Sequence, residues 1–592
     1  MASSRAPDLR RAALWAGLAW LICSAAMLWW FHGAFATMAF RDPDDAMRLV
    51  QVRDWIGGQA FWDVSQHRVN PPLGGPMHWS RIVDMPIAGL ILLLRPIVGA
   101  AGAERLACVI VPLLLLGGLT AALFTAARRI AGDAAALVGV ALLLTTPSIL
   151  VQFTPLRIDH HGWQIMLAGI ALMGAMDERA ARGGLIAGLA LALWLQISSE
   201  ALPYAALFAG VFALRHWIDR AETPRFVAFA LTLGGAALVL LALLRGGQAP
   251  FVSQCDALSF AYVWPLVALA DASATAVRAI GTGSPTRRLA IAAIGGGAAI
   301  AVFLLTGGPC LSGDPFAALG PLAYKLWYLQ VMEGRPIEAQ TLTMQGVILL
   351  PPLLGLGATL LAAARNRDGR NREGARMRWL TLALLLIGAT LVSMLVMRAL
   401  SVAHLFALPG IAWLLLLLLR RVQRSGLALV RVIGSVALVL LTPAGLCAAW
   451  IAVAAQPEAA KKADADCRSA AALAALDALP PATLFAPIDL GPDILMRTRQ
   501  SVIATAHHRN AVGISTVIRG FVAAPDQARH VIERSGARYL VSCDGLNEMA
   551  LYEKENPRSL AAMLAQGNPP LWLEPLPANG SLRLYRIRPA GN

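Results

Sequence analysis

The stretch Asp42-Pro43-Asp44-Asp45-Ala46-Met47-Arg48-Leu49 follows directly on the first apolar run, 12–35. Three carboxylates within four residues beside a bilayer are costly unless they hold a metal or meet water. An ionisable group at a membrane edge marks a functional site by default. A solvated loop would use the same residues; the position at the membrane edge favours chemistry. The basic start, 1–11, leads into an apolar run long enough to span and too long for a cleaved signal. With that start in the cytoplasm and 12–35 retained as the first helix, the acidic knot lies outside. Every later segment takes its side from it.

The 592 residues are 57% hydrophobic and 14% charged, against about 25% charged in soluble domains. A polytopic α-helical membrane protein is expected. The net charge of +15 does not point to nucleic acid. Its basic residues cluster between apolar spans, at 127–129, 215–217 and 365–378, as in cytoplasmic loops, with no nucleic-acid motif. The seven cysteines show no metal-type spacing. Cys255 and Cys310 fall in expected outer loops, and Cys467 and Cys543 in the C-terminal part. Either pair suits a disulfide in an oxidising compartment, with free thiols the equal alternative. No internal repeat is visible.

The loop 41–84 carries Trp62, Asp63, His67, Asn70-Pro71-Pro72, Gly74-Gly75, His78-Trp79 and Asp84. Proline and glycine at this density predict an ordered, non-helical loop, and the aromatics suit the membrane interface. The apolar segment 85–102 contains Pro86, Arg95 and Pro96. As an interfacial or re-entrant piece it keeps Arg128-Arg129 inside and brings Asp159-His160-His161 out on the side of Asp42. The count is then about thirteen spans: 12–35, 104–126, 133–152, 162–177, 183–199, 201–215, 225–244, 257–272, 288–306, 345–364, 378–397, 401–419 and 427–453. Every basic loop lands inside. The expected division is a transmembrane domain, 1–455, with a large first outer loop, 36–103, and an outside α/β domain, 456–592. In the latter, helices are expected at 470–479 and 525–535, and strands at 483–488, 539–542 and 582–587.

On the outer face this count gathers Asp42, Asp44 and Asp45; Asp159, His160 and His161; Glu333 and Glu338 in the loop 307–344; and Arg398. Oxygen ligands suit Mg²⁺ or Mn²⁺, and an imidazole among them tilts the choice toward Mn²⁺. Such a cation neutralises phosphate oxygens on a leaving group, and an arginine fork suits the same phosphate. Together they suggest transfer from a lipid phosphate carrier. Each piece has a plainer use. Asp159 is a good helix cap, although two histidines exceed what a cap requires. Arg398 also suits snorkelling to head groups. The run His507-His508-Arg509-Asn510 reads equally as a surface turn or a substrate contact.

The order of these residues resembles the catalytic subunit of archaeal and bacterial oligosaccharyltransferases, in the GT-C class of membrane glycosyltransferases. That family has an Asp-Pro-Tyr-Tyr-like motif after the first helix, often followed by Arg-Leu; here it reads Asp42-Pro43-Asp44-Asp45-Ala46-Met47-Arg48-Leu49. Its Pro/Gly-rich and Trp-Pro-like elements resemble 71–84. Its archaeal Asp-His-His motif is matched by Asp159-His160-His161, and its Thr-Ile-x-Glu-like motif by Pro336-Ile337-Glu338-Ala339.

The resemblance implies that Asp42, Asp159 and His161 hold a divalent metal, that Asp42 and Glu338 serve catalysis at the acceptor, and that Arg398 meets the carrier phosphate. Asp44, Asp45, His160, Asp489 and His508 are expected on the substrate side. The implied donor is a polyprenyl-phosphate or diphosphate glycan at the periplasmic face of a bacterial inner membrane. One departure matters. The family's Trp-Trp-Asp-Tyr-Gly, which reads the acceptor sequon, corresponds to Pro487-Ile488-Asp489-Leu490-Gly491. Its Asp and Gly survive and its aromatics do not, and isoleucine cannot stack or donate as tryptophan does. A sugar or lipid hydroxyl acceptor is therefore expected, with protein asparagine as the alternative. A lipid or polysaccharide transporter is the third reading; it would place ionisable groups near the midplane rather than at one edge.

Overall fold

In lipid the backbone can satisfy its polar groups only internally, so long apolar runs become helices. The computed structural model describes residues 9–312, 316, 319–366, 370–455 and 466–589. The basic start through residue 8, the middle of the basic run 365–378, part of the loop 307–344 and the tail's beginning at 456 lie outside the described residues. Among those described, ten helices are long and apolar enough to cross a membrane, from Arg10–Trp30 to Met397–Gln423. Two bent pairs bring the number to twelve: Asp133–Leu143 with Pro147–Phe153, and Ala428–Leu441 with Pro443–Ala454, bent by 65° and 79°.

Ten to twelve spans stand against the thirteen expected. The difference is His161–Ala175, which is helical but only 15 residues long. The second bent pair replaces the single helix expected over 427–453. Pro443 cannot donate to the preceding turn, and the chain turns at Thr442, whose side chain caps the next helix through Gly445.

The segment 85–102 and the span after it form one helix only in name. The helix Arg81–Ala131 breaks at Gly99, where φ is 74° and ψ 173°, a conformation open chiefly to glycine. The arm 81–98 is thus a separate rod from 100–131.

Ion pairs fix which loops share an end of the bundle. Arg129 pairs with Asp177 at 3.1 Å and donates to the Met173 carbonyl. Arg182 joins Asp177 at 2.9 Å. Arg215 and Arg225 share Glu222 at 2.8 and 2.7 Å and reach the carbonyls of Ala175 and Gly174. Arg288 donates to the Trp217 carbonyl. These loops form one basic end. His161–Ala175 ends there, so Asp159, at its other terminus, emerges at the opposite end.

The C-terminal part is a small α/β unit. Its five strands are β1 (Thr483–Phe485), β2 (Ser501–Val502), β3 (Tyr539–Cys543), β4 (Leu573–Leu576) and β5 (Leu582–Ile587). Their order is β2-β1-β3-β5-β4, with β1 parallel to β2 and β3, and β5 antiparallel to β3 and β4. Helices Ala470–Asp477 and Pro525–Arg534 stand where the sequence predicts them. The first outer loop docks on this unit. Val69 bridges Val502, Asn70 N–H donates to the Val502 carbonyl at 2.7 Å, and Val502 N–H donates to that of Arg68 at 2.9 Å. The Arg68 guanidinium donates to the carbonyls of Leu495, Thr498 and Gln500. Cys255 is bonded to Cys310 and Cys467 to Cys543.

Candidate functional site

Asp42 caps the helix Pro43–Ile56: its Oδ1 accepts the Asp44 N–H at 2.9 Å, and Pro43 occupies the first helical position, where its missing N–H costs nothing. The cap places Asp44 and Asp45 in the first turn. Asp45 is buried and meets the loop 154–160. That loop turns sharply at Leu156, whose φ of 73° is rare outside glycine. The turn aims Arg157 back at the knot. Its Nη1 lies 2.6 Å from Asp42 Oδ2 and 2.9 Å from Asp45 Oδ2. Asp45 Oδ1 in turn accepts the Asp159 N–H at 2.9 Å. One arginine and one buried carboxylate thereby join the two acidic motifs.

Around Asp159 the contacts are close. His160 Nδ1 is 2.5 Å from Asp159 Oδ1, His161 Nε2 is 3.5 Å from Oδ2, and Arg48 Nη2 is 3.5 Å from Oδ1. Ligand atoms of Asp159, His160 and His161 all lie within 4.8 Å of one another, and all three residues are buried. Arg48 is also paired with Asp84 at 3.1 Å and lies over the Trp79 ring at 3.9 Å.

A second group borders the first. Arg398 pairs with Glu200 at 2.5 Å and Glu333 at 3.4 Å. Glu200 accepts from Gln164, which contacts His161. Behind them runs a cavity with His161, Gln164, Glu200 and Arg398 at its polar end and apolar walls that include Trp194 and Val396. Of the two glutamates in 307–344, Glu333 belongs to this group. Glu338 is exposed and takes part in none of these contacts.

The C-terminal unit closes the site. Asp489 sits on the turn Ile488–Leu490, whose first two N–H groups are held by the Glu548 carboxylate at 2.8 and 2.9 Å. His508 turns away: its Nε2 pairs with Asp256 at 2.8 Å, and Arg509 forks onto the same carboxylate at 2.6 and 2.8 Å. His507 enters instead, with Nε2 3.4 Å from Asp44 Oδ1.

Crowding of acids sets the electrostatics. Burial raises the Asp44 carboxyl well above the usual carboxylate range, and Asp42 and Asp159 add to this. Burial also acts to raise Asp159, but His160 and then His161 hold it well below that range. Asp489 is raised by burial, with Asp42 contributing. A cluster that forces protons onto its acids is one that a divalent cation would relieve. Asp159 Oδ2 and His507 Nε2 are among its buried atoms that have no hydrogen-bond partner. Carboxylate and imidazole donors with such orphans fit a divalent cation.

Two members of the site, Arg157 and Glu200, do not stand out in the sequence, and a third, His507, lies in a run whose sequence leaves its role open. Arg157 stands two residues before Asp159, a cation in the same turn as a buried acid. Glu200 is an acid at the start of an apolar helix, a signal of the kind that selects Asp42. His507 differs from His508 only in the direction the backbone gives it.

A helical membrane bundle that gathers carboxylates and imidazoles at one end, beneath a small α/β domain, is the GT-C glycosyltransferase fold. No protein-family model matches the sequence, and no curated protein does. Solved structures do. The archaeal oligosaccharyltransferase AglB from Archaeoglobus fulgidus, in complex with an inhibitory peptide and a dolichol-phosphate, superposes with a TM-score of 0.63 over 95% of this chain and 72% of its own, at 14% identity. An Archaeoglobus fulgidus oligosaccharyltransferase tethered to an acceptor peptide containing the NVT sequon gives 0.58, at 15% identity, over 98% and 75% of the two chains. Its complex with Zn and sulfate gives 0.53, at 14% identity, over 97% and 74%. At these identities the likeness is one of fold.

Proposed function

We propose that this chain is a glycosyltransferase that moves a sugar or glycan from a polyprenyl-phosphate or diphosphate carrier to an acceptor. In this reading the reaction is assisted by Mn²⁺ or Mg²⁺ and takes place at the periplasmic face of a bacterial inner membrane. The observation that carries the reading is the junction of the two acidic motifs through Arg157 and Asp45, beside an arginine held ready for an anion. The cation would neutralise charge on the departing phosphate, held by Asp42, Asp159 and His161. Arg157 holds Asp42 and Asp45 together and aimed inward. Arg398, steadied by Glu200 and Glu333, forks onto the carrier phosphate, and the apolar cavity beyond it suits the first isoprene units. A carboxylate of the knot takes the proton of a hydroxyl acceptor. Glu333 is the acid of its loop that faces this acceptor.

The two disulfides, one in a loop and one in the C-terminal unit, support an oxidising compartment for this face. Dolichol-phosphate in the AglB complex and a sequon peptide in the other oligosaccharyltransferase structure support a lipid-phosphate donor and keep protein asparagine as the second reading. Asp489, retained close to Asp42, favours that second reading; the missing aromatics around it favour the first.

The test is transfer by purified protein from polyprenyl-phosphate-linked and diphosphate-linked sugars, offered a hydroxyl acceptor or a sequon peptide. Asp42→Ala and Asp159→Ala are expected to abolish product in chains that still fold. Full activity in both variants removes the metal assignment. Product on the peptide alone selects the second reading.

A further inference from the structure

His507 is 3% exposed, and its Nε2 has no hydrogen-bond partner. The ring is not loose. Its Nδ1 is 2.9 Å from Thr505 Oγ1, and it meets Trp79 edge to face with centroids 4.9 Å apart. A hydroxyl that takes the Nδ1–H leaves Nε2 as a bare lone pair, the arrangement that orients a metal-ligating histidine from its far side. In that tautomer the lone pair faces the acidic knot, with Nε2 3.4 Å from Asp44 Oδ1. Asp159 Oδ2, in the same acidic cluster, is another buried atom without a hydrogen-bond partner.

The backbone explains how an imidazole of the C-terminal unit arrives there. β2 is bonded on one side to β1 and on the other to Arg68 and Asn70 of the first outer loop. The chain leaving β2 is thus aimed at the membrane domain. Asn510 then anchors the return, accepting from Asn70 and capping the helix Ala511–Val522. Between these two anchors lies the segment 503–510, in which His507 comes within 3.4 Å of Asp44.

We propose that His507 Nε2 is a ligand of the divalent cation, so that the centre is completed across the boundary between the membrane domain and the C-terminal unit. Docking of that unit and cation binding are then one coupled event. This rests on reading the acidic knot as a divalent-cation site, and the experiment separates the two.

The probe is Mn²⁺ itself, titrated into the full-length chain in detergent and followed by EPR, with nitrogen electron-spin-echo modulation to count bound imidazoles. His507→Ala is expected to weaken Mn²⁺ at least about 10-fold and to remove one imidazole coupling. Thr505→Val, which leaves the imidazole but frees its ring, is expected to weaken Mn²⁺ less and keep the coupling. Asp159→Asn reports on the knot. Loss of binding in Asp159→Asn with unchanged affinity and coupling in His507→Ala overturns this inference alone. No Mn²⁺ binding by the wild-type chain overturns the cation reading and this inference together. If His507→Ala does not fold, an unchanged affinity in Thr505→Val together with only one imidazole coupling in the wild-type chain overturns the inference.

Discussion

Replacing Arg157 by glutamine tests the junction on which the site is built. Its Nη1 lies between Asp42 and Asp45, and the side chains are 11% exposed for Arg157, 1% for Asp45 and 31% for Asp42. Removing one partner of a buried ion pair costs about 3–5 kcal/mol, because the remaining charge is left uncompensated. Water reaches Asp42 in part, so about 3 kcal/mol is expected from that principle. The same substitution makes the knot one unit more negative, which favours a divalent cation. Each tenfold tightening of Mn²⁺ closes the gap to wild type by about 1.4 kcal/mol. Mn²⁺ at 100 times its Kd stabilises either form by about 2.7 kcal/mol. The assay is thermal unfolding of the detergent-purified chain in chelator and along an Mn²⁺ titration. Arg157→Gln should melt well below wild type in chelator and approach it as Mn²⁺ is added. Equal stability in chelator, or a gap that widens with Mn²⁺, would refute the reasoning.

The same geometry gives three further outcomes. Asp44 is raised in the folded chain, so its contribution to stability is complete below the ordinary aspartate value of about 3.9 and is lost as pH rises toward the folded value. In chelator the melting temperature should therefore fall with rising pH above that range, and Asp44→Asn should flatten the slope; an unchanged slope would refute the assignment. Arg398→Ala should raise KM for a polyprenyl-phosphate donor roughly 10- to 100-fold, the equivalent of a charged hydrogen bond of about 1.5–3 kcal/mol, and Arg398→Lys should recover part of it. Arg68→Ala removes donors to three carbonyls and should speed amide exchange at 501–510 while leaving the basic end of the bundle unchanged.

The bundle is legible in the sequence because two independent signals agree. Apolar length marks the spans, and arginine placement marks the sides. Arg129, Arg182, Arg215 and Arg225 then prove to be tied together by Asp177 and Glu222. The acidic motifs are legible because charge beside a bilayer is expensive. What stays hidden depends on direction rather than type. Nothing in His507-His508 says which ring faces the knot, because that is set by the pairing of β2 with a loop more than 400 residues earlier. Glu333 and Glu338 are the same residue type, and only the path of the short turns around them brings Glu333 to Arg398. The bend at Thr442 needs only Pro443, whose effect on a helix is local; its apolar surroundings mask it.

The bridge between Val69 and Val502 has a consequence beyond the site. β2 is one of the two edge strands of its sheet, only two residues long, and the segment closing its edge belongs to the membrane-bound part of the chain. Cut free from that part, the C-terminal unit would present unpaired N–H and C=O groups, and bare edges of this kind recruit strands from other copies. Proteolytic release of 466–592 should therefore yield a self-associating fragment. A peptide spanning 66–75, supplied in trans, should hold it monomeric.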